Sequence, residues 1–334
     1  MRIESPPSVS VVLPNYNGAE LLKANLPPLL VALQVAGCEW EIVVSDDAST
    51  DTSVVMLQKE FPQVQVLTHP FNTGFAATVN RGISACKHTL VLLLNTDVVL
   101  FPDYLLACFP YFDDASTFGV MGKIINLEND DLQDAAKYPA GNGVKLTTTL
   151  NYTPVGPDIH TFRWPSLFLS GANALISREK LTLLGGMEEL FSPFYVEDAE
   201  LCLRAWRLGW RCYYAPGAIC RHPASTTIKA YHKQKKIDTI SVRNRAFLHY
   251  LHLSGIELVR FQIGLLLKLL LAVLLFKTAD RDGIIASYRQ LDALKKSKMN
   301  FDALAKKLGL APLSLVQVRN QLNRELKGHA IRKF

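Results

Sequence analysis

The stretch "VLLLNTDVVLFPDY", residues 91–104, decides the fold. Its four apolar residues Val91–Leu94 show no polar alternation, the pattern of a strand buried on both faces. The run breaks off at Asn95-Thr96-Asp97, and the apolar pattern then resumes. A carboxylate at the mouth of such a strand must find a partner, because an unpaired buried charge is costly.

Working outward, strand and helix patterns alternate from Val9 to about Gly122. "VSVVLP" is a β-branched run ended by a proline, and "AELLKANLPPLLVALQVAG" suits a helix with Pro27-Pro28 as a candidate break. "EIVVSDD" and "VQVLTH" read as strands; "STDTSVVMLQKEF" and "GFAATVNRGISAC" read as helices. Such alternation predicts an α/β fold, a mostly parallel, Rossmann-like sheet flanked by helices. Ligands of such sheets sit beyond the carboxyl ends of the strands, which gathers Asn15, Asp46, Asp47 and Asp97 around one crevice. Residues 123–165 read as irregular, rich in Gly, Asn, Thr and Pro.

The chain has 334 residues, 49% of them hydrophobic, enough for one large domain or a domain with an extension. The net charge of +6 is unevenly spread. Residues 229–334 hold 21 Lys and Arg against 7 Asp and Glu, whereas residues 1–228 hold 15 against 23. An acidic front half does not suggest a polyanion cradle there; the basic back half suits nucleic acid or an anionic membrane. The six cysteines form no CxxC pair and no zinc spacing, and read as reduced packing residues of a cytosolic protein. No signal peptide is visible in "MRIESPPS".

Several constellations could carry chemistry. In "DDAST", Asp46, Asp47 and Ser49 can cap the next helix, but two adjacent carboxylates exceed what a cap needs. Asn95-Thr96-Asp97 can be a plain turn, or can present Asp97 to a divalent cation shared with a diphosphate. In "VEDAELCLRAWRLGW", Glu200 with Arg204 is an ordinary i,i+4 pair. Glu197 and Asp198 follow the aromatic stretch "FSPFY", where partial desolvation would suit a general base. His222, after the strand-like "RCYYAPGAIC", is a packing residue or a metal ligand.

"VSVVLPNYNG", "VVSDDASTD", "NTGFAATVNRGI", "LLLNTDV", "FSPFYVEDAELCLRAWRLGW" and "AICRHPAST", in this order, resemble family 2 glycosyltransferases of the GT-A fold. Within them the chain looks most like the rhamnosyltransferase-like branch that builds bacterial surface polysaccharides. The resemblance covers about residues 8–250 and leaves 251–334 as an apolar, basic helical extension. It implies inverting transfer of a sugar from a nucleotide diphosphate donor, dTDP-rhamnose among the candidates, to a hydroxyl of a glycan or lipid-linked acceptor. Carried over by position, Pro14 and Tyr16 line the nucleotide pocket with Asp46, Asp47 holds the base, and Asn80 faces the donor. Asp97 matches the metal-binding Asp of the family's DxD motif, with Asn95 where the first Asp would stand and His222 as a further ligand. The ion would be Mg²⁺ or Mn²⁺. Asp198 matches the catalytic base, flanked by Glu197 toward the acceptor.

"IELVRFQIGLLLKLLLAVLLFK" is the most hydrophobic stretch. Glu257, Arg260, Gly264 and Lys268 recur at i+3 and i+4, a narrow polar stripe that fits a helix lying in a membrane interface better than one crossing it. A core-packed helix is the other reading. With the basic tail, the expectation is a cytoplasmic protein held peripherally on the inner face of the cytoplasmic membrane. Two rival functions remain: a sugar nucleotidyltransferase, which would want a basic Gly-rich phosphate loop that "PNYNGAELLK" lacks, and an inactive membrane scaffold. A nucleic-acid binder fits least, because the basic tail lacks interleaved aromatics.

Overall fold

The computed structural model describes residues 6–142, 144–223 and 233–334. Ala224–Thr226 of the motif around His222 lie outside the described residues. The expected alternation is present as β1 (Val9–Asn15), α1 (Ala19–Ala36), β2 (Trp40–Asp46), α2 (Ser53–Glu60), β3 (Val64–Thr68), α3 (Phe75–Ala85) and β4 (Leu90–Leu94). These four strands run parallel in the order β4-β1-β2-β3. Next come β5 (Val99–Leu100), α4 (Tyr104–Cys108) and β6 (Thr117–Asn126). The strand Asn173–Ser177 joins antiparallel between β4 and β6. After it stand α5 (Arg178–Leu183) and α6 (Glu197–Arg207), then the long strand Arg211–His222, parallel to β6.

The central strands are mostly apolar because both their faces are covered, and the buried hydroxyl of Ser10 in β1 donates to Glu41 of β2 (2.6 Å). Along β1, Val9, Val11 and Leu13 pack with Leu22, Leu26, Leu29 and Leu33 of α1. Val12 points the other way, against Ala76, Val79 and Ile83 of α3. β4 divides alike, with Leu92 and Leu94 on one side and Val91 and Leu93 on the other. α3 lies so close to β1 that a Cβ at Gly82 would stand 2.4 Å from a Val12 methyl carbon, so glycine is required there.

Two local readings need correcting. α1 is continuous through Pro27 and Pro28. Buried leucines on both sides of the prolines hold the helix to the sheet, and this packing outweighs the ~3 kcal/mol that an interior proline opposes. Residues 123–165 are also less irregular than their composition suggests. β6 runs on to Asn126 beside Arg211–His222, and Asn151–Pro154 pairs with Ile331–Lys333 at the far end of the chain. Those strands exist through distant partners, which a local pattern does not reveal.

The helices Gln234–His252, Gly255–Leu274, Thr278–Tyr288, Leu291–Lys307 and Leu315–Leu326 follow. Leu253, Phe261, Leu294, Phe301, Leu315 and Leu322 add to the same apolar cluster as Trp206 of α6. Among the described residues, no helix is long and apolar enough to cross a membrane. All six cysteines are free, five of them buried.

Candidate active site

The ends of β1 and β2 are tied together by their own polar side chains. Asn15 Nδ2 donates to Asp46 (2.7 Å), whose other oxygen accepts the Ser49 N–H (2.9 Å). Asp47 accepts the Thr73 N–H (2.7 Å), the Thr73 hydroxyl (2.8 Å) and the Gly74 N–H (2.9 Å). Its carboxylate therefore anchors the loop that enters α3. Pro14 is half-buried beside Ser45 of β2, and Tyr16 is exposed at the rim. Asp51, absent from the sequence reading, accepts the first N–H groups of both α1 (Ala19, 3.0 Å) and α2 (Ser53, 3.0 Å).

Asn80, on α3, bonds to the loop ahead of α6. Its Nδ2 donates to Met187 O (2.8 Å) and Glu189 (3.0 Å), and its Oδ1 accepts the Met187 N–H (2.8 Å). These bonds latch α3 to the loop ahead of α6.

After β4, the Val98 N–H donates to Asn95 O (3.2 Å), so Asn95–Val98 is a turn. It also presents a side chain to a partner. Asp97 Oδ1 lies 3.2 Å from His222 Nε2, both side chains largely buried. The contact is within ion-pair distance but lacks hydrogen-bond alignment, so Asp97 Oδ1 accepts no hydrogen bond. Asn15 Oδ1 and Asn95 Oδ1 are buried and equally without a donor. Buried acceptors at strand ends are normally satisfied. Acceptors left without a donor suit a cation or a donor-bearing ligand, so these residues fit a divalent ion with oxygen and imidazole ligands. Among the described residues, no group of three or more His, Cys, Asp and Glu could hold a metal.

α6 supplies the second half of the site. Tyr195 and Val196, just before it, both have left-handed backbones (φ 76° and 79°). Each such non-glycine residue carries strain of about 1–3 kcal/mol. Glu197 is buried with Oε2 unpartnered; burial, and then the charge of Asp198, push its carboxyl up to about 8. Burial also raises Asp198, against the pull of the Ala199 N–H and the Lys137 ammonium. Asp198 Oδ2 accepts the Gly171 N–H (3.4 Å), while the Asn95 N–H donates to Ala172 O (3.1 Å). The segment Gly171-Ala172 thereby joins the end of β4 to the carboxylates of α6. The sequence reading missed this junction, although "LFLSGANALI" places small residues between two apolar runs.

Glu200 belongs elsewhere. It is 1% exposed, and the single Arg204 Nε–H is shared between its two oxygens, at 2.9 and 3.0 Å. Arg204 also donates to Leu184 O and Gly186 O, and His252 Nε2 stands 3.5 Å from Glu200. Burial pushes the Glu200 carboxyl up, but Arg204 and His252 outweigh it and hold the group below its usual range.

Residues 6–236 match the sequence profile of the family described as "Glycosyltransferase like family 2". The pre-mycofactocin glycosyltransferase of Mycobacterium tuberculosis is 28% identical over 228 residues, 68% of this chain and 45% of that protein. The chain thus spans less than half the length of that relative. The N-acetylglucosaminyl-diphospho-decaprenol L-rhamnosyltransferase of the same organism is 25% identical over 230 residues, 59% of this chain and 73% of that protein. Among solved structures, GalNAc-T7 with UDP, GalNAc and Mn²⁺ superposes at a TM-score of 0.55. It covers 73% of this chain and 48% of its own, at 16% identity, a likeness of fold alone. The mixed sheet and the matched profile lead to one assignment: the chain belongs to glycosyltransferase family 2 and has the GT-A fold.

Proposed function

We propose that the chain transfers a sugar, with inversion, from a nucleotide diphosphate sugar to a hydroxyl of a glycan or lipid-linked acceptor. The observation that carries this reading is the meeting of Asp97 and His222 at 3.2 Å, with an Asp97 oxygen buried and unsatisfied at the strand ends. Asp97 and His222 would hold Mg²⁺ or Mn²⁺ against the donor diphosphate, beside Asn95. A divalent ion bound there neutralises charge on the departing diphosphate. Asp198 takes the proton of the acceptor hydroxyl. The acceptor oxygen bonds the anomeric carbon as the bond from that carbon to the diphosphate oxygen breaks. Glu197, neutral beside it, leaves the negative charge on Asp198, the division of labour expected of two close carboxylates. Pro14, Tyr16 and Asp46, with Asp47 holding the Thr73-Gly74 loop, form the nucleotide side. An L-rhamnosyl donor such as dTDP-rhamnose is one candidate, since one relative is named an L-rhamnosyltransferase.

The reading includes peripheral attachment to an anionic membrane, on its cytoplasmic face. Along Gly255–Leu274, Ile256, Val259, Ile263, Leu267 and Leu270 are exposed, whereas only Phe261 and Ala272 are buried. The same helix ends beside Phe276, 89% exposed. Of the polar stripe, Lys268 pairs with Asp280 (2.6 Å). An exposed apolar face in a strongly basic region fits lipid as its occupant. The test of the whole reading is donor turnover, measured for wild type and Asp97→Ala with Mg²⁺, Mn²⁺ and EDTA. Turnover that persists in EDTA removes the metal, and an unaffected variant removes Asp97.

A further inference from the structure

We propose that Asn244 is a positioning residue for the Glu197–Asp198 pair, holding the left-handed turn that aims these carboxylates into the crevice. The inference rests on the reading of Asp198 as the base.

Asn244 lies on the helix Gln234–His252 and is fully buried. Its Nδ2 is 2.7 Å from Phe191 O, 2.9 Å from Phe194 O and 2.8 Å from Tyr195 O. A side-chain amide has two N–H protons, so these three carbonyls share them. Its Oδ1 is in turn held by Arg243 Nε at 2.9 Å, which sets the orientation of the amide. Arg243 extends the grip: its Nη2 donates to Ser192 O and lies 3.4 Å from Phe191 O. Packing supports both, with Phe194 against Ile237 and Ile240, and Phe191 edge-on to Phe247 at 5.9 Å.

The gripped carbonyls belong to the segment that most needs holding. Tyr195 (φ 76°) and Val196 (φ 79°) are left-handed without being glycine, and for β-branched Val196 this is an outlying conformation. Such a turn persists only where its surroundings over-determine it. Val196 is the N-cap of α6, so its backbone sets the direction from which Glu197 and Asp198 leave. Relaxing the turn would rotate the peptide planes at Phe194 and Tyr195 and strip buried oxygens of their donor. Asn244 makes the strained arrangement the favoured one. It touches neither substrate side of the crevice, and its effect passes through the turn alone.

The experiment compares wild type, Asn244→Ala and Arg243→Ala by three readouts. Turnover uses whichever UDP-, dTDP- or GDP-sugar the wild type consumes fastest, Kd uses the matching nucleoside diphosphate with Mn²⁺, and hydrogen exchange follows the peptide covering 194–200. A misplacement of about 1 Å typically loses on the order of 10²-fold in rate. Asn244→Ala should therefore lose kcat by roughly that factor, keep Kd within about twofold, and exchange faster at 194–200. Arg243→Ala should show the same split with a smaller loss, and it decides the matter if Asn244→Ala does not fold. Unchanged exchange at 194–200, or a kcat loss matched by an equal loss of nucleotide affinity, overturns the proposal. Faster exchange with full kcat overturns it as well. Whether the base reading itself has failed is decided separately by Asp198→Asn, which would then turn over at the wild-type rate.

Discussion

Asp97 and His222 meet at 3.2 Å although one follows β4 and the other ends the strand Arg211–His222. β5 brings them together. It pairs antiparallel with that strand, Val99 opposite Arg221 and Leu100 opposite Cys220, so continuing the register carries His222 to the turn that bears Asp97. If the two share a metal, His222→Asn should raise the Mn²⁺ concentration needed for half-maximal turnover. The increase should at least match the roughly 10–100-fold typical of changes behind a metal ligand. Turnover titrated against Mn²⁺ for wild type and variant provides the check, and superimposable curves would remove His222 from the site.

Asp198→Asn should lose about 10²–10⁴-fold in turnover, the usual contribution of a general base. Nucleotide binding should survive, because Asn15, Asp46 and Asp47 lie on other elements. Calorimetric titration with UDP or dTDP and Mn²⁺, beside turnover, separates the two effects. Near-wild-type turnover in Asp198→Asn together with abolition in Glu197→Gln would move the base by one residue.

Glu197 predicts a pH dependence of stability. Burial and the neighbouring Asp198 raise its carboxyl from the ordinary 4.5 to about 8. Between those values the folded chain keeps a proton that the unfolded chain has released, so stability falls as pH rises through the window. The slope is at most about 1.4 kcal/mol per pH unit for this one group. Below the lower value its contribution is fully present. Glu197→Gln should flatten the decline, read by urea unfolding at a series of pH values. Parallel profiles in wild type and variant would contradict the assignment.

Glu200→Gln should destabilise the protein well beyond what its i,i+4 spacing suggests. An exposed helical pair is worth roughly 0.2–0.5 kcal/mol. Glu200 is 1% exposed, however, and its removal leaves the Arg204 guanidinium buried without a counter-charge. Breaking such a pair from one side typically loses about 3–5 kcal/mol. Denaturant midpoints at matched m-values report the difference. A loss under about 1 kcal/mol would mean that water or Leu184 O and Gly186 O suffice for Arg204.

Leu270 is 61% exposed on the apolar face of Gly255–Leu274, and Leu267 is 57% exposed. Charging this face with Leu267→Glu and Leu270→Glu should abolish flotation with anionic liposomes and leave the fold intact. Wild-type flotation should weaken with salt, because polybasic attraction is screened over about 8–10 Å at physiological ionic strength. Equal recovery in the soluble fraction with and without anionic lipid would refute the attachment.

Local pattern was enough for the first half of the fold and for its strand-end residues. "VSVVLP", "EIVVSDD" and "TLVLLLN" are legible because strands buried on both faces are apolar at most positions, whatever lies elsewhere in the chain. Asn15, Asp46, Asp47 and Asp97 are legible because a parallel sheet puts the ends of its strands on one side. The continuity of α1 through two prolines was not legible, since propensity loses there to the packing of Leu22, Leu26, Leu29 and Leu33. Nor were the partners of Asn80, whose amide meets Met187 and Glu189 only after α3 has docked.

What the sequence determined by itself was therefore the alternation of strands and helices, the side of the sheet on which polar residues collect, and the carboxylates at the start of α6. Only the tertiary structure decided which of them meet: His222 with Asp97, Gly171 with Asp198, and Asn244 with Phe191, Phe194 and Tyr195. The reason is physical. Periodicity and capping act over a few residues, whereas antiparallel registers, buried ion pairs and strained turns are set by elements far apart in the chain, and their partners exist only once those elements have packed.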